Sequence, residues 1–196
     1  MLTGRFAPSP SGRMHLGNVF SALLAWLSVR SRGGRMLLRI EDLDPDRCRP
    51  EYAETLKRDL DWLGLDWDAE QTPQSRRTEA YRAEFDKLAA LGLVYPCYCS
   101  RAELHAASAP HASDGTVVYA GTCRDLTPEQ RAVKTRAPAW RVRVPDERIT
   151  VHDGLQGLWQ EDLARDCGDF IIRRSDGVYA YQLAVVTDDT DGGATE

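Results

Sequence analysis

With 196 residues, 42% of them hydrophobic and 28% charged, the chain has the size and composition of a globular protein able to bury its own core. No apolar run of about 18 residues is present to span a bilayer, and Met1 to Arg5 lacks the charged-then-apolar layout of a secretion signal, which leaves the cytoplasm as the default location. A formal net charge of −5 argues against a simply basic nucleic-acid binder, although a local patch can act within an acidic whole.

Gly4-Arg5-Phe6-Ala7-Pro8 reads as a short buried strand running into a turn. The loop 9–13 then leads into an apolar helical run from His15 to about Arg32, closed by Gly33-Gly34. Residues 35–40 form a second strand that ends in the acidic cluster Glu41-Asp42-Leu43-Asp44-Pro45. Strand, helix and strand within roughly 35 residues make a βαβ unit, which implies a parallel sheet. Two scaffold helices are expected next. The first, 50–63, carries Leu56, Leu60 and Leu63 before Gly64; the second, 75–91, carries Tyr81, Phe85, Leu88 and Leu91 before Gly92. From Tyr95 the texture changes: cysteines cluster, 106–115 is small and polar, and short strands are expected at 139–144, 148–152 and 157–161. Segment 95–165 therefore reads as an insert. Residues 169–174, the turn Ser175-Asp176-Gly177 and residues 178–181 return to strand and hairpin.

Three groups of residues carry chemistry. The helix opening His15-Leu16-Gly17-Asn18 offers unpaired N–H groups, a partial positive charge and a histidine able to donate to a phosphate oxygen, with Gly17 allowing close approach to the backbone. An ordinary strand–helix turn accounts for the same residues. Glu41, Asp42 and Asp44 read equally as a capping cluster before the Pro45 turn. Five cysteines without a secretion signal point to metal binding rather than disulfides, and Cys97 and Cys99, at i and i+2, can grip one ion. Cys48 and Cys167 stand apart and read as small buried apolar residues.

The string Arg5-Phe6-Ala7-Pro8-Ser9-Pro10-Ser11-Gly12, then His15-Leu16-Gly17-Asn18, then Arg39-Ile40-Glu41-Asp42-Leu43-Asp44, resembles the start of class I glutamyl-tRNA synthetases. In that family R-F-A-P-S-P-T-G precedes an H-x-G-H element, and R-I-E-D-T-D ends the second strand. The chain departs at Ser11, in place of threonine, and at Asn18, in place of the last histidine; asparagine hydrogen-bonds but carries no positive charge. These departures, with the pattern Cys-x-Cys…Tyr-x-x-x-Cys at Cys97, Cys99, Tyr119 and Cys123, resemble the shorter glutamyl-Q-tRNA(Asp) synthetase branch, in which a tyrosine is a zinc ligand.

The resemblance implies an α/β fold, a doubly wound parallel, Rossmann-like sheet with an inserted zinc-binding subdomain. On that reading 1–94 is the first half of a nucleotide-binding domain, 95–165 the insert and 166–196 the start of the second half. It places ATP, with Mg²⁺, at His15, Gly17 and Asn18. L-glutamate falls to Arg5, Phe6, Ala7, Pro8, Ser9, Glu41 and Tyr181, with Glu41 facing the ammonium. Zn²⁺ falls to Cys97, Cys99, Tyr119 and Cys123, with His105 and His111 as substitutes for the phenol. The implied reaction is formation of glutamyl-adenylate and transfer of the glutamyl group to queuosine of tRNA(Asp), by a cytoplasmic monomer. In the family a carboxylate-holding arginine and a K-[LM]-S-K loop follow beyond the stretch that ends at Glu196, so the resemblance implies an incomplete and nearly inactive version. Two other readings stand beside it: part of an ordinary glutamyl-tRNA synthetase that charges the tRNA 3′ end, or a non-catalytic zinc- and nucleotide-binding module.

Overall fold

In a computed structural model that describes residues 1–100, 102–104 and 118–196, the chain divides into two units, residues 1–83 with 181–196 and residues 84–180. His105, His111 and the small polar stretch 106–115 lie outside the described residues.

The first unit is built on β1 (Thr3–Phe6), α1 (Leu16–Arg30), β2 (Arg35–Leu38), α2 (Pro50–Trp62) and β3 (Ala69–Glu70). The strands form a parallel sheet in the order β1-β2-β3, with Thr3 opposite Arg35 and Leu37 opposite Ala69. Parallel neighbours need crossover connections, and α1 and α2 supply them. The close seating of α1 is visible at Gly4, where an added Cβ would lie 2.2 Å from Cγ2 of Val29. Ala22, Leu38, Ile40, Leu56, Leu60 and Leu65 form the buried core, edged by Phe6, Met14, Trp26, Ala53 and Trp67. Pro50 opens α2 at a position where its missing N–H costs nothing, and Gly64 (φ 73°) ends it in the left-handed region. A 3-10 turn (Gln74–Arg76) and α3 (Thr78–Ala90) replace the single helix expected from residue 75; the division between the units falls within α3.

The first unit closes with α5 (Tyr181–Gly192), where the sequence had suggested the second arm of a hairpin for residues 178–181. The hairpin does close around that turn, with Arg173 bridged to Tyr179 and the N–H groups of Arg174 and Ala180 donating to the Val178 and Ile172 carbonyls at 2.8 and 2.9 Å, but its return arm ends at Ala180 and Tyr181 begins the helix instead. Valine, threonine and aspartate are weak helix formers, so local preference does not announce α5. Its carboxylates hold it. Asp188, 1% exposed in its side chain, accepts from Gln74 Nε2 at 2.8 Å, Arg77 Nε at 2.6 Å and the Tyr81 hydroxyl at 3.0 Å. Asp189 accepts from Arg39 Nη1 at 2.6 Å and from Arg5 Nε and Nη2, each at 3.2 Å.

The second unit contains an antiparallel sheet of β4 (Val94–Cys97), β5 (Ala139–Val142) and β8 (Ile171–Arg173), in the order β4-β5-β8. Between β5 and β8 lies the exposed hairpin of β6 (Arg148–Asp153) and β7 (Gly157–Asp162). A short helix, α4 (Pro128–Ala132), is capped by Thr127. Buried Asp169 accepts from the Tyr95 hydroxyl at 2.6 Å and from the Val144 N–H at 2.9 Å. Cys167 is exposed and Cys48 half-buried, so neither is the core residue that composition suggested. Among the described residues no helix is long and apolar enough to cross a membrane.

Asp188→Ala leaves Arg77 and the buried Arg39 short of an anion, and a loss of about 3–5 kcal/mol in urea unfolding is expected from breaking one partner of a buried pair. Unchanged stability would show that Asp188 does not anchor α5.

Candidate active site and metal cluster

The parallel sheet sets the first site. Both β1 and β2 end at the same level, where Arg39 N–H donates to the Phe6 carbonyl and Glu41 N–H to the Pro8 carbonyl, each at 3.0 Å. Side chains just past these strand ends meet in a cavity of about 400 Å³ whose walls include Phe6, Ala7, Pro8, Ser9, His15, Asn18, Glu41 and Tyr181. Eight of the ten residues expected for ATP and glutamate are thus brought together. Arg5 and Gly17 are not part of the wall.

Gly17 has a local task. A Cβ there would meet the His15 ring at 3.0–3.1 Å, so glycine gives the imidazole its place. His15 Nδ1 accepts from the Gly17 N–H at 3.1 Å, and Asn18 Oδ1 accepts from the His15 N–H at 3.1 Å. This is a reciprocal cap of the α1 N-terminus, with Asn18 in the place usually taken by Glu or Gln. With Nδ1 accepting, a neutral imidazole carries its proton on Nε2, which stays available as a donor.

The acidic cluster divides its labour. Asp42 accepts from Ser75 N–H at 2.8 Å and from its hydroxyl at 2.7 Å, and Asp44 accepts from Asp46 N–H at 3.1 Å, as turn-capping carboxylates do. Glu41 does not cap. It is 4% exposed, and its Oε1 accepts from Arg39 Nη2 at 2.9 Å and Nε at 3.3 Å. Burial pushes its carboxyl above the ordinary 4.5, and the Arg39 bonds offset only part of that. Burial also acts to raise Asp189, but bonds from Arg5 and Arg39 outweigh it and hold that carboxyl below its ordinary 3.8. Tyr181, half exposed at the start of α5, has its phenol raised first by burial and then by the charge of Glu41. Arg39, Asp188 and Asp189 were not singled out from the sequence. Arg39 and Asp189 lie 150 residues apart, and the local signal was three aspartates, Asp188, Asp189 and Asp191, crowded into a stretch, 181–195, that has no other charge.

In the second unit Cys97, Cys99 and Cys123 hold their sulfurs within 4.8 Å of one another. Cys99 and Cys123 Sγ are 3.6 Å apart, and the Tyr119 hydroxyl lies 3.5 Å from Cys97 Sγ and 3.9 Å from Cys99 Sγ. A tetrahedral ion with bonds of about 2.3 Å to sulfur and about 2.0 Å to oxygen requires S···S near about 3.8 Å and S···O near about 3.5 Å, so the donor set fits Zn²⁺. Arg141 stacks over the Tyr119 ring at 3.8 Å, and the Cys123 N–H donates to the Tyr119 hydroxyl at 2.7 Å, which together fix the phenol, while the Tyr119 backbone bridges to Gly168. Burial, followed by the neighbouring Cys123, pushes the Cys99 thiol up to about 12. Burial also acts to raise Cys97, but hydrogen bonds from Tyr119 and Arg141 bring it below its ordinary value.

The family model described as tRNA synthetases class I (E and Q), catalytic domain, matches residues 1–196. The glutamyl-Q tRNA(Asp) synthetase of Nitratidesulfovibrio vulgaris is 52% identical over 210 residues, covering 100% of this chain and 64% of that protein. Its counterpart in Thiobacillus denitrificans is 49% identical over 192 residues, covering 98% of this chain and 62% of that one. The chain therefore spans somewhat less than two thirds of the length of these relatives. Among solved structures, a glutamate tRNA ligase from Elizabethkingia meningosepticum in complex with its amino acid matches with a TM-score of 0.80 at 28% identity, over 99% of this chain and 42% of that one. Glutamate-tRNA synthetase from Elizabethkingia anophelis matches with a TM-score of 0.82 at 27% identity, over 99% and 43%.

Two measurements test this geometry. Asn18→Ala removes half of the reciprocal cap and should cost about 1 kcal/mol in thermal unfolding. The stability contributed by Asp189 is present above its ordinary 3.8 and lost as pH falls through its lower folded value, so Asp189→Asn should flatten the acid limb of the stability–pH curve. An unchanged limb would mean that its ion pairs do not persist in solution.

Proposed function

This chain belongs to the class I tRNA synthetases (E and Q), and we propose that it carries the glutamate- and ATP-binding part of a glutamyl-Q tRNA(Asp) synthetase. The observation behind this reading is the cavity at the strand ends, where a buried carboxylate, a tyrosine and a capped histidine converge. Glu41 uses only Oε1 in its bonds to Arg39, leaving Oε2 as an acceptor for the ammonium of L-glutamate. A substrate carboxylate oxygen then attacks the α-phosphorus of ATP; the P–O bond to pyrophosphate breaks, and glutamyl-adenylate forms. No protein nucleophile is needed, so the chain's own contribution is positioning and charge. The His15 Nε2–H and the first turn of α1 supply donors to the phosphates. Mg²⁺, when bound, neutralises phosphate charge. Transfer of the glutamyl group to queuosine of tRNA(Asp) would complete the reaction, in a cytoplasmic monomer.

Cys97, Cys99, Tyr119 and Cys123 would hold Zn²⁺ within an insert spanning 95–165. With four protein ligands the ion has no open position, and its role is structural.

An ordinary glutamyl-tRNA synthetase remains the second reading, because both structural neighbours are glutamate-tRNA ligases. The difference in identity, 52% against 28%, favours the first. ATP–pyrophosphate exchange in a protein of the relatives' length separates them: exchange that needs glutamate but no tRNA supports the first, and exchange only with tRNA(Glu) supports the second. In the same assay Glu41→Gln should weaken use of glutamate by about 2–5 kcal/mol, since the substrate ammonium loses its anion. Metal analysis after exhaustive dialysis should return about one zinc per chain, as four ligands for a single ion require. Cys99→Ser should lose the metal together with stability. A metal-free wild type of equal stability would remove zinc from the scheme.

A further inference from the structure

Arg5 is the cation expected beside the amino acid, yet it is not part of the cavity wall, and its orientation is set from α5. Asp189 takes Arg5 side-on, Nε to Oδ1 and Nη2 to Oδ2, each at 3.2 Å. A guanidinium has five N–H donors in a rigid fork, so this grip leaves the Nη1 edge unused by Asp189. The same carboxylate accepts from Nη1 of Arg39 at 2.6 Å, and Arg39 in turn holds Oε1 of Glu41. Asp189 is therefore the anion shared by Arg5, the cation expected for the substrate, and by Arg39, the buried cation that holds Glu41. It sits eight residues after Tyr181 on α5, a little over two turns, so one helix delivers both the tyrosine of the wall and the carboxylate behind it.

We propose that Asp189 is the positioning residue of the glutamate site, fixing Arg5 so that its free N–H edge meets a carboxylate of the substrate. The proposal rests on the glutamate-binding reading above. A carboxylate that merely fastened α5 to the sheet would stabilise the fold without acting through Arg5, and the two roles separate in a double-mutant cycle.

L-glutamate and, separately, ATP are titrated into the labelled chain and followed by NMR, which reads millimolar binding. Asp189→Asn should weaken L-glutamate about 10-fold, as expected when the shell supporting a first contact is loosened, and leave ATP within about twofold. Arg5→Lys, which cannot be gripped side-on, should weaken L-glutamate comparably, and the double variant should bind no worse than the weaker single. Multiplying losses in the double variant, or parallel losses for ATP and glutamate, would overturn the proposal. If Asp189→Asn does not fold, the wild type decides: a protected Arg5 Nε–H with unaveraged Nη signals is the expected result, and a freely rotating guanidinium overturns it. A wild type that binds no L-glutamate defeats the functional reading itself; a wild type and Asp189→Asn that bind it alike defeat only this inference.

Discussion

A guanidinium with no solvent exposure organises the first unit. Arg39 lies at the end of β2 with its side chain fully buried, where an unpaired charge would cost several kcal/mol. It is matched by Glu41 beside it and by Asp188 and Asp189, contributed by a segment 150 residues further along the chain. Bringing that segment back costs loop entropy that grows only slowly with length, while leaving Arg39 alone would cost far more. The charge thus dictates where α5 must dock. Since α5 also carries Tyr181, docking the anions places a wall of the cavity.

The same arrangement explains why binding and stability residues are hard to separate here. Burial works against the ionised form of Glu41, and Arg39 restores only part of what burial removes. A carboxylate kept half-satisfied just past a strand retains an acceptor oxygen, as the glutamate-binding reading proposed above requires. Asp188, by contrast, is saturated by Gln74, Arg77 and Tyr81 and has nothing left to offer a ligand. Neighbouring carboxylates therefore take opposite roles through hydrogen-bond supply rather than residue type.

What could be read from the sequence follows the range of the forces involved. Helices α1 and α2 were legible because apolar spacing and terminal glycines are local signals, and the parallel sheet followed from the strand–helix–strand spacing. Seven of the eight wall residues singled out lie on or just after β1 and β2 or in the α1 cap, and motif and fold coincide there. Tyr181 was singled out as a pocket residue, but its secondary structure was misjudged. Its helix is stabilised by arginines distant in sequence, and nothing in Val185-Val186-Thr187-Asp188-Asp189 favours a helix by itself. Asn18 gave half its meaning. Its lack of positive charge was apparent, but its service as the reciprocal cap to His15 needed the backbone geometry.

The thiol–phenol cluster shows the opposite balance from the guanidinium cluster. Around Arg39, cations and anions satisfy one another before any ligand arrives. Around Tyr119, four soft or weakly acidic donors crowd together, with the Arg141 guanidinium stacked 3.8 Å over the phenol ring. Burial then favours protonated Cys99 and Tyr119, and protons cannot satisfy four converging lone-pair donors at once. A dication reverses that preference by stabilising every deprotonated ligand together, which is why donors with raised proton affinity can still form a tight metal site. Gly168 supports the same geometry from the backbone: at φ 67° a side chain would be strained, and its Cβ would lie 2.9 Å from Val118 and 3.3 Å from the Tyr119 backbone. The phenol is therefore held by the fold itself, so in the zinc reading proposed above the least usual ligand would be ordered by packing rather than by the ion.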